Sequence, residues 1–238
     1  MTEAHKYKKK LIEVALPLEE INKHSSKEKS VRFGHPVTLH QYWARRPHAS
    51  AAAVIFCSLI DDPSNEHNEK EANRIRKNLF KILIDHITWE NYNNKSVFKK
   101  THKFLLENIK GNLPTISDPF CGGGTIPIEA QRFGLKSIGS DLNPVAVMIT
   151  KSMVEILPKF YGKKPINKIN SLTTSNNMYN DNYNGFIEDF EYYSKYVFSQ
   201  AKNSLIQYYP KSDYLSFRII QPVRRFFHAY FSLREQTE

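Results

Sequence analysis

The sequence predicts an α/β fold interrupted by a helical insertion, and three observations carry that prediction. Residues 113–162 read strand, glycine loop, helix, strand, turn, helix, the order that opens a parallel sheet. Three of the nine glycines in 238 residues are consecutive, in DPFCGGGTIPIEA (118–130), directly behind an apolar approach. Ahead of this core, residues 63–112 are polar with apolar positions at spacings of three and four, the signature of helices packed on one face.

The elements follow in order. Residues 1–62 begin with a basic run and LIEVALPLEEINKHSSKEKS, read as an anchoring segment and turn, and then carry RFGHPVTLHQYWARRPHASAAAVIFCSLIDDPS. Pro47 suits a helix N-terminus, and the Ala-rich run behind it has high helix propensity. In the insertion, Ile75, Leu79, Ile82, Leu83, His86 and Ile87 make one stripe, and a second helix is expected over Val97–Ile109. LPTIS is a short strand, Pro127 fits a first helical turn, and Gly134 fits the position past a helix end. KSIGSD is the second strand. Asn143 is a cap and Pro144 a first helical residue ahead of VAVMITKSMVEI. Residues 163–185 are an Asn-rich linker. Residues 186–238 are a helical tail in which Phe186, Phe190, Tyr193, Val197, Ala201, Leu205 and Tyr208 mark an amphipathic helix.

Composition bounds the function classes. Hydrophobic residues at 40% and aromatics at 13% suffice for a core. The two cysteines, Cys57 and Cys121, form no CxxC, so a zinc ribbon within this chain is excluded and no metal site is expected. No signal peptide is visible, and the longest apolar run, Ala49–Ile60, falls short of the roughly 20 residues that span a bilayer. The expectation is a soluble cytoplasmic protein without a membrane partner. The net charge of +10 invites DNA as a weak, electrostatic partner. AT-rich coding sequence explains the same Lys and Asn abundance, so charge alone leaves the partner open.

The glycine loop is the candidate site. Glycine behind a strand lets backbone approach a ligand and supplies unusual dihedrals. A P-loop needs Gly-Lys-Ser/Thr, and no lysine follows. A dinucleotide fingerprint would use Gly122 and Gly124, but its third glycine position holds Pro127. Asp118, at the strand end, repels pyrophosphate and suits a cation such as the ammonium and sulfonium of S-adenosylmethionine. Asp141, at the end of the next strand, stands where ribose hydroxyls are bound. A tight glycine turn with incidental acids is the alternative.

These residues also carry a family resemblance. DPFCGGGTIPIEA is similar to the first cofactor motif of amino-DNA methyltransferases, and SDLNPVAV (140–147) to their acidic second motif. LHQYWARRP (39–47) resembles the segment that closes over the methionine end of the cofactor. In this order, with KLIEVALPLEEIN, the segments resemble large bacterial adenine-specific DNA methylases that begin with a domain of unknown function and often carry a zinc ribbon. The resemblance covers about residues 10–62 and 113–162, and more weakly 186–210. It implies an incomplete Rossmann-like, S-adenosylmethionine-dependent fold. It also implies a cofactor site drawn from His40, Tyr42, Arg45, Arg46, Asp118, Phe120, Cys121, Gly122, Gly124, Thr125, Asp141 and Asn143. Without the resemblance, Tyr42 and Trp43 read as core aromatics, and Arg45 and Arg46 as a solvated pair.

The implied activity is methyl transfer to the adenine N6 amine in DNA, in a restriction or phage-defence setting. The family holds that amine with Asp/Asn-Pro-Pro-aromatic. Of the twelve prolines here no two are adjacent, so no catalytic residue is assigned. Asn143-Pro144 lacks the second proline, and capping explains it. The chain is expected to be inactive alone, with a second polypeptide as a candidate source of the catalytic motif. The alternative is a non-catalytic DNA- or partner-binding fragment, or a subunit of a split methyltransferase.

Overall fold

The Ala-rich run behind Pro47 forms the helix against which the N-terminal half of the molecule packs. In the computed structural model, which describes residues 7–31, 35–38, 40, 42–92, 94–109, 113–167 and 183–208, this is α3 (His48–Leu59), with Pro47 as its N-cap. Ala49, Ala52 and Ala53 are buried among Phe56, Leu79, Leu83 and Leu105, the close approach that small side chains permit.

Two shorter helices precede it, α1 (Leu11–Val14) and α2 (Leu18–Glu28). The second replaces the turn expected there. Ile21 and Ser25, one turn apart, are its buried residues, and Ser25 Oγ lies 2.9 Å from Ser50 Oγ on α3. Glu28 closes α2 by accepting from the first two amides of α3, His48 N at 2.8 Å and Ala49 N at 2.6 Å. Packing and this borrowed cap outweigh the modest helix propensity of NKHSSK. The start of the described chain is tied to the end of α3 by Leu11 N donating to Ile60 O at 2.9 Å.

The helical pair α4 (Glu69–Ile87) and α5 (Lys95–Asn108) occupies the region read as an insertion. Asn68 and Asn94 cap the two helices through their side-chain oxygens. Leu79, Leu83, His86 and Ile87 of the expected stripe are buried, while Ile75 and Ile82 pack at its margin. The pair has no core of its own: its leucines share one cluster with α1, α3 and Ala130, Phe133 and Leu135.

The α/β unit follows. Strands β1 (Ile116–Asp118) and β2 (Ser137–Gly139) pair in parallel, with Ile116, Ser117 and Asp118 opposite Ser137, Ile138 and Gly139. Helix α6 (Thr125–Arg132) makes the crossover. It ends at Gly134, φ +75°, where Leu135 N reaches Ala130 O at 2.9 Å and Gly134 N reaches Gln131 O at 2.8 Å, the paired bonds of a left-handed helix stop. Helix α7 (Pro144–Lys151) starts at the Asn143 cap and runs on through a π-helical turn (Ser152–Ile156) and a 3-10 turn (Leu157–Phe160).

The last described helix, α8 (Asn184–Leu205), buries Gly185 and Ile187 in its first turn. Along the rest of it, Phe190, Tyr193, Val197 and Leu205 of the predicted stripe are exposed among the described residues. Most of the Asn-rich linker (168–182) and of the tail (209–238) lies outside the described residues. The described molecule is mostly helical around a two-stranded parallel sheet, compatible with a partial α/β fold.

Candidate functional site

Asp118 ends β1 and Asp141 lies two residues past the end of β2, so register alone brings both acids to the carboxyl end of the parallel sheet. Ligands bind at that end of open α/β sheets. Between the acids runs the loop Cys121–Gly124, with Gly122 at φ +49° and Gly124 at φ +79°. Both glycines hold backbone conformations that side chains disfavour. The loop is fixed from several directions. Gly122 N donates to Asp141 Oδ2 at 2.8 Å, Thr150 Oγ1 donates to Gly122 O at 3.1 Å, and Cys121 N donates to Ser140 O at 2.9 Å.

Asp141 is the hub. Its second oxygen accepts from Asn143 N at 2.8 Å, and the amides of Asn143 and Gly122 hold its carboxyl below the usual carboxylate range. Two accepted bonds leave lone pairs for hydroxyl donors. Asn143 itself is spent on capping α7, its Oδ1 accepting from Val145 N at 3.0 Å. Asp118 Oδ1 accepts from Phe120 N at 3.2 Å. Beside the acids stand two apolar side chains open to solvent, Phe120 at 84% and Leu142 at 99% exposure.

The segment of residues 40–47 lies on this loop. A Cβ on Gly122 would sit 3.1 Å from the Tyr42 ring, and one on Gly123 would sit 2.7 Å from Arg45 Nε. Arg45 is held in place by donating to Pro36 O at 2.9 Å and His40 O at 3.1 Å. His40 therefore contributes its carbonyl, while its side chain is exposed. Arg46 contributes its carbonyl, which accepts from Thr125 Oγ1 at 3.0 Å, and is itself exposed. Trp43, at 99% exposure, is no core residue. A cleft of about 470 Å3 opens alongside, sharing Tyr42 and Arg45 with the loop and bordered by Lys29, Thr38 and Arg46.

The sequence-predicted residues thus come together, with different assignments. Gly122, Gly124, Asp118, Phe120, Asp141, Tyr42 and Arg45 surround one loop. The side chains of Cys121 and Thr125 are buried instead. Cys121 Sγ is 3.7 Å from Thr150 Oγ1, and burial pushes its thiol above the usual range. Among the described residues no group of three His, Cys, Asp or Glu is arranged for a metal, and no helix is long and apolar enough to cross a membrane.

Sequence reasoning missed Thr150 and a buried polar cluster behind the loop. Glu129 Oε1 accepts from His48 Nδ1 at 2.6 Å, and Oε2 from Arg132 Nη1 at 2.7 Å. Tyr92 OH donates to Glu129 at 3.4 Å, with the Arg132 guanidinium 3.7 Å over the Tyr92 ring. Burial works to raise the Glu129 carboxyl, but the Arg132 charge and the His48 bond outweigh it and hold it at about 2. A buried carboxylate persists only with such partners. The available signal was Glu129 standing four residues from Thr125, on the same face of a helix otherwise rich in apolar residues.

The geometry suits the group that the strand-end acids suggested. Glycine amides, two carboxylates and flanking apolar side chains match a cationic nucleoside better than a polyphosphate. Two comparisons with known proteins match parts of this chain. Residues 15–82 match the model of DUF1156, a protein family of unknown function. Over 102 residues the chain is 26% identical to the Type II methyltransferase M.MvaI of Kocuria varians, covering 36% of this chain and 22% of that protein. The similarity relates part of this chain to a methyltransferase, of whose length it spans less than a quarter. No solved structure matches.

Proposed function

We propose that the loop Cys121–Gly124 binds S-adenosylmethionine or its product, S-adenosylhomocysteine. Asp118 faces the amino-acid end, Asp141 accepts from the ribose hydroxyls, and Phe120 and Leu142 flank the base. The observation that carries this reading is the pair of strand-end acids bracketing a loop whose glycines hold positive φ. When bound, the cofactor supplies an activated methyl group. The chain's own residues orient it: Tyr42 and Arg45 back the loop, and the cationic wall of the adjoining cleft suits the methionine carboxylate.

The chain acts, in this reading, as the cofactor-holding part of a DNA adenine N6-methyltransferase. It does not turn over alone, because none of its 238 residues forms an acceptor-Pro-Pro-aromatic unit to hold the target amine. In this reading that unit comes from outside these residues. DNA is held weakly through the basic N-terminal region, with ten Lys/Arg against five Asp/Glu in residues 1–50.

Calorimetry with S-adenosylhomocysteine tests the cofactor assignment. Asp141→Ala removes a charged acceptor from the ribose and should weaken binding about tenfold or more. Equal affinity of wild type and Asp141→Ala would sink it. Incorporation of labelled methyl groups into adenine-containing duplex tests the rest: turnover by the purified chain, abolished by Asp118→Ala, would show a catalytic group outside those considered.

A further inference from the structure

We propose that Glu129 and His48 form a buried strut that sets the position of residues 42–47 on the glycine loop, which makes both of them positioning residues for the ligand site. The inference rests on the cofactor reading above for its functional consequence and on geometry alone for the strut.

Helix α6 begins where the loop ends, and it is bonded twice to the run that enters α3. Its first residue, Thr125, donates to Arg46 O at 3.0 Å, and Glu129 accepts from His48 Nδ1 at 2.6 Å. Thr125 and Glu129 are four apart, hence on one face of the helix. Arg46 and His48 are two apart on the facing run. Two directional bonds one turn apart fix both the distance and the register between these elements. Arg45, next to the bonded Arg46 on that run, lies against Gly123.

The strut is braced at both ends. Arg132 Nη1 donates to the second oxygen of Glu129 at 2.7 Å and Arg132 Nη2 to His86 O at 3.2 Å, so α6 is tied to α4 as well. The His48 backbone is held by Glu28, so α2 is tied to the same point. Glu129 is fully buried and His48 is 1% exposed, so solvent does not compete for the bond. Apolar residues in place of Glu129, His48 and Arg132 together would pack α3 on α6 comparably well, since buried ionic clusters add little net stability over hydrophobic replacements. What apolar residues lack is direction. The polar pair specifies register, the best-attested use of such groups.

The test compares Glu129→Met, Glu129→Gln, His48→Ala and His48→Gln with Leu105→Ala, a fully buried core position on α5. Two quantities are read below each variant's melting transition: S-adenosylhomocysteine affinity and hydrogen exchange at the Gly122 and Gly124 amides, which bond Asp141 and Cys121 O. A positioning role predicts that Glu129→Met and His48→Ala weaken affinity about tenfold and speed loop exchange by more than their loss of global stability accounts for. Leu105→Ala, of similar melting temperature, should change affinity less than about twofold and exchange only in line with stability. Glu129→Gln and His48→Gln keep a hydrogen-bonding partner and should recover most of both; they also keep the test open if the harsher variants fail to fold. Loop exchange and affinity that track melting temperature alike in all variants would overturn the strut. If wild type binds no S-adenosylhomocysteine, the cofactor reading fails while the exchange measurement still decides the strut.

Discussion

Replacing Gly123 by alanine separates contact at the loop from backbone strain. Gly123 is not among the positive-φ glycines, so alanine is allowed by the backbone, unlike at Gly122 or Gly124. The new methyl would lie 2.7 Å from Arg45 Nε, 2.9 Å from Nη2 and 3.0 Å from Cζ, inside the limits of ordinary contact. The guanidinium must move, and its bonds to Pro36 O and His40 O go with it. Overpacking costs about 1–3 kcal/mol. A half-exposed guanidinium losing two carbonyl partners falls within the same range, so about 2 kcal/mol in all is expected. In a chain of this size that lowers the melting temperature by about 4–8 °C. The assay is thermal and urea unfolding of Gly123→Ala, Arg45→Ala and the double variant. Since the cost is the clash with Arg45, adding Gly123→Ala to Arg45→Ala should lower stability by less than about 1 kcal/mol. The same loss in both backgrounds would refute the contact, and with it the placement of Arg45 on the loop.

Three further outcomes follow from single contacts. Gly134→Ala combines a left-handed φ of +75° with a methyl that overlaps the His102 ring; it should cost about 2–4 kcal/mol in urea unfolding, and His102→Ala should restore only the part due to the clash. Asn143→Ala removes the acceptor for Val145 N and should cost about 1 kcal/mol, with Asn143→Ser restoring most of it. Asp62 accepts from the Arg76 guanidinium and from Ser64, which holds its carboxyl at about 2 against an ordinary 3.8. Because the folded value is depressed, its stabilisation is complete above pH 3.8 and is lost as pH falls from there through about 2. The stability difference between wild type and Asp62→Asn, about 1–2 kcal/mol at pH 5 after solvent screening, should shrink across that window. A difference independent of pH would refute the pairing.

What was legible in the sequence was what neighbours within a few residues decide. Gly134 as a helix stop, Asn143-Pro144 as a helix start and the loop glycines all follow from local dihedral and capping chemistry, and the structure shows each. The α4 stripe was legible because period survives whatever partner it meets. Helix α2 was not legible. Its Ser, His and Asn residues favour turns locally, and it is held by α3, which lies twenty residues further along where Glu28 meets His48.

The site divides along the same line. That Asp118 and Asp141 meet is a property of consecutive parallel strands. The inward turn of Thr125 and Cys121 is set by Arg46 and Thr150, 79 and 29 residues away. Glu129 marks the limit. In IEAQR it reads as the acid of an ordinary surface pair with Arg132, three residues on. Its burial is decided by His48, 81 residues earlier, and Tyr92, 37 residues earlier. An exposed pair of this kind contributes a few tenths of a kcal/mol and tolerates loss. A buried one left with a single partner costs about 3–5 kcal/mol, because the remaining charge has no water to turn to. Removing Glu129 therefore strands Arg132 between Tyr92 and Phe98, so Glu129→Ala should destabilise far more than its place on the helix suggests. Joining Arg132→Met to Glu129→Met should recover much of that loss. A double variant no more stable than Glu129→Met alone would show that the stranded charge is not the cause.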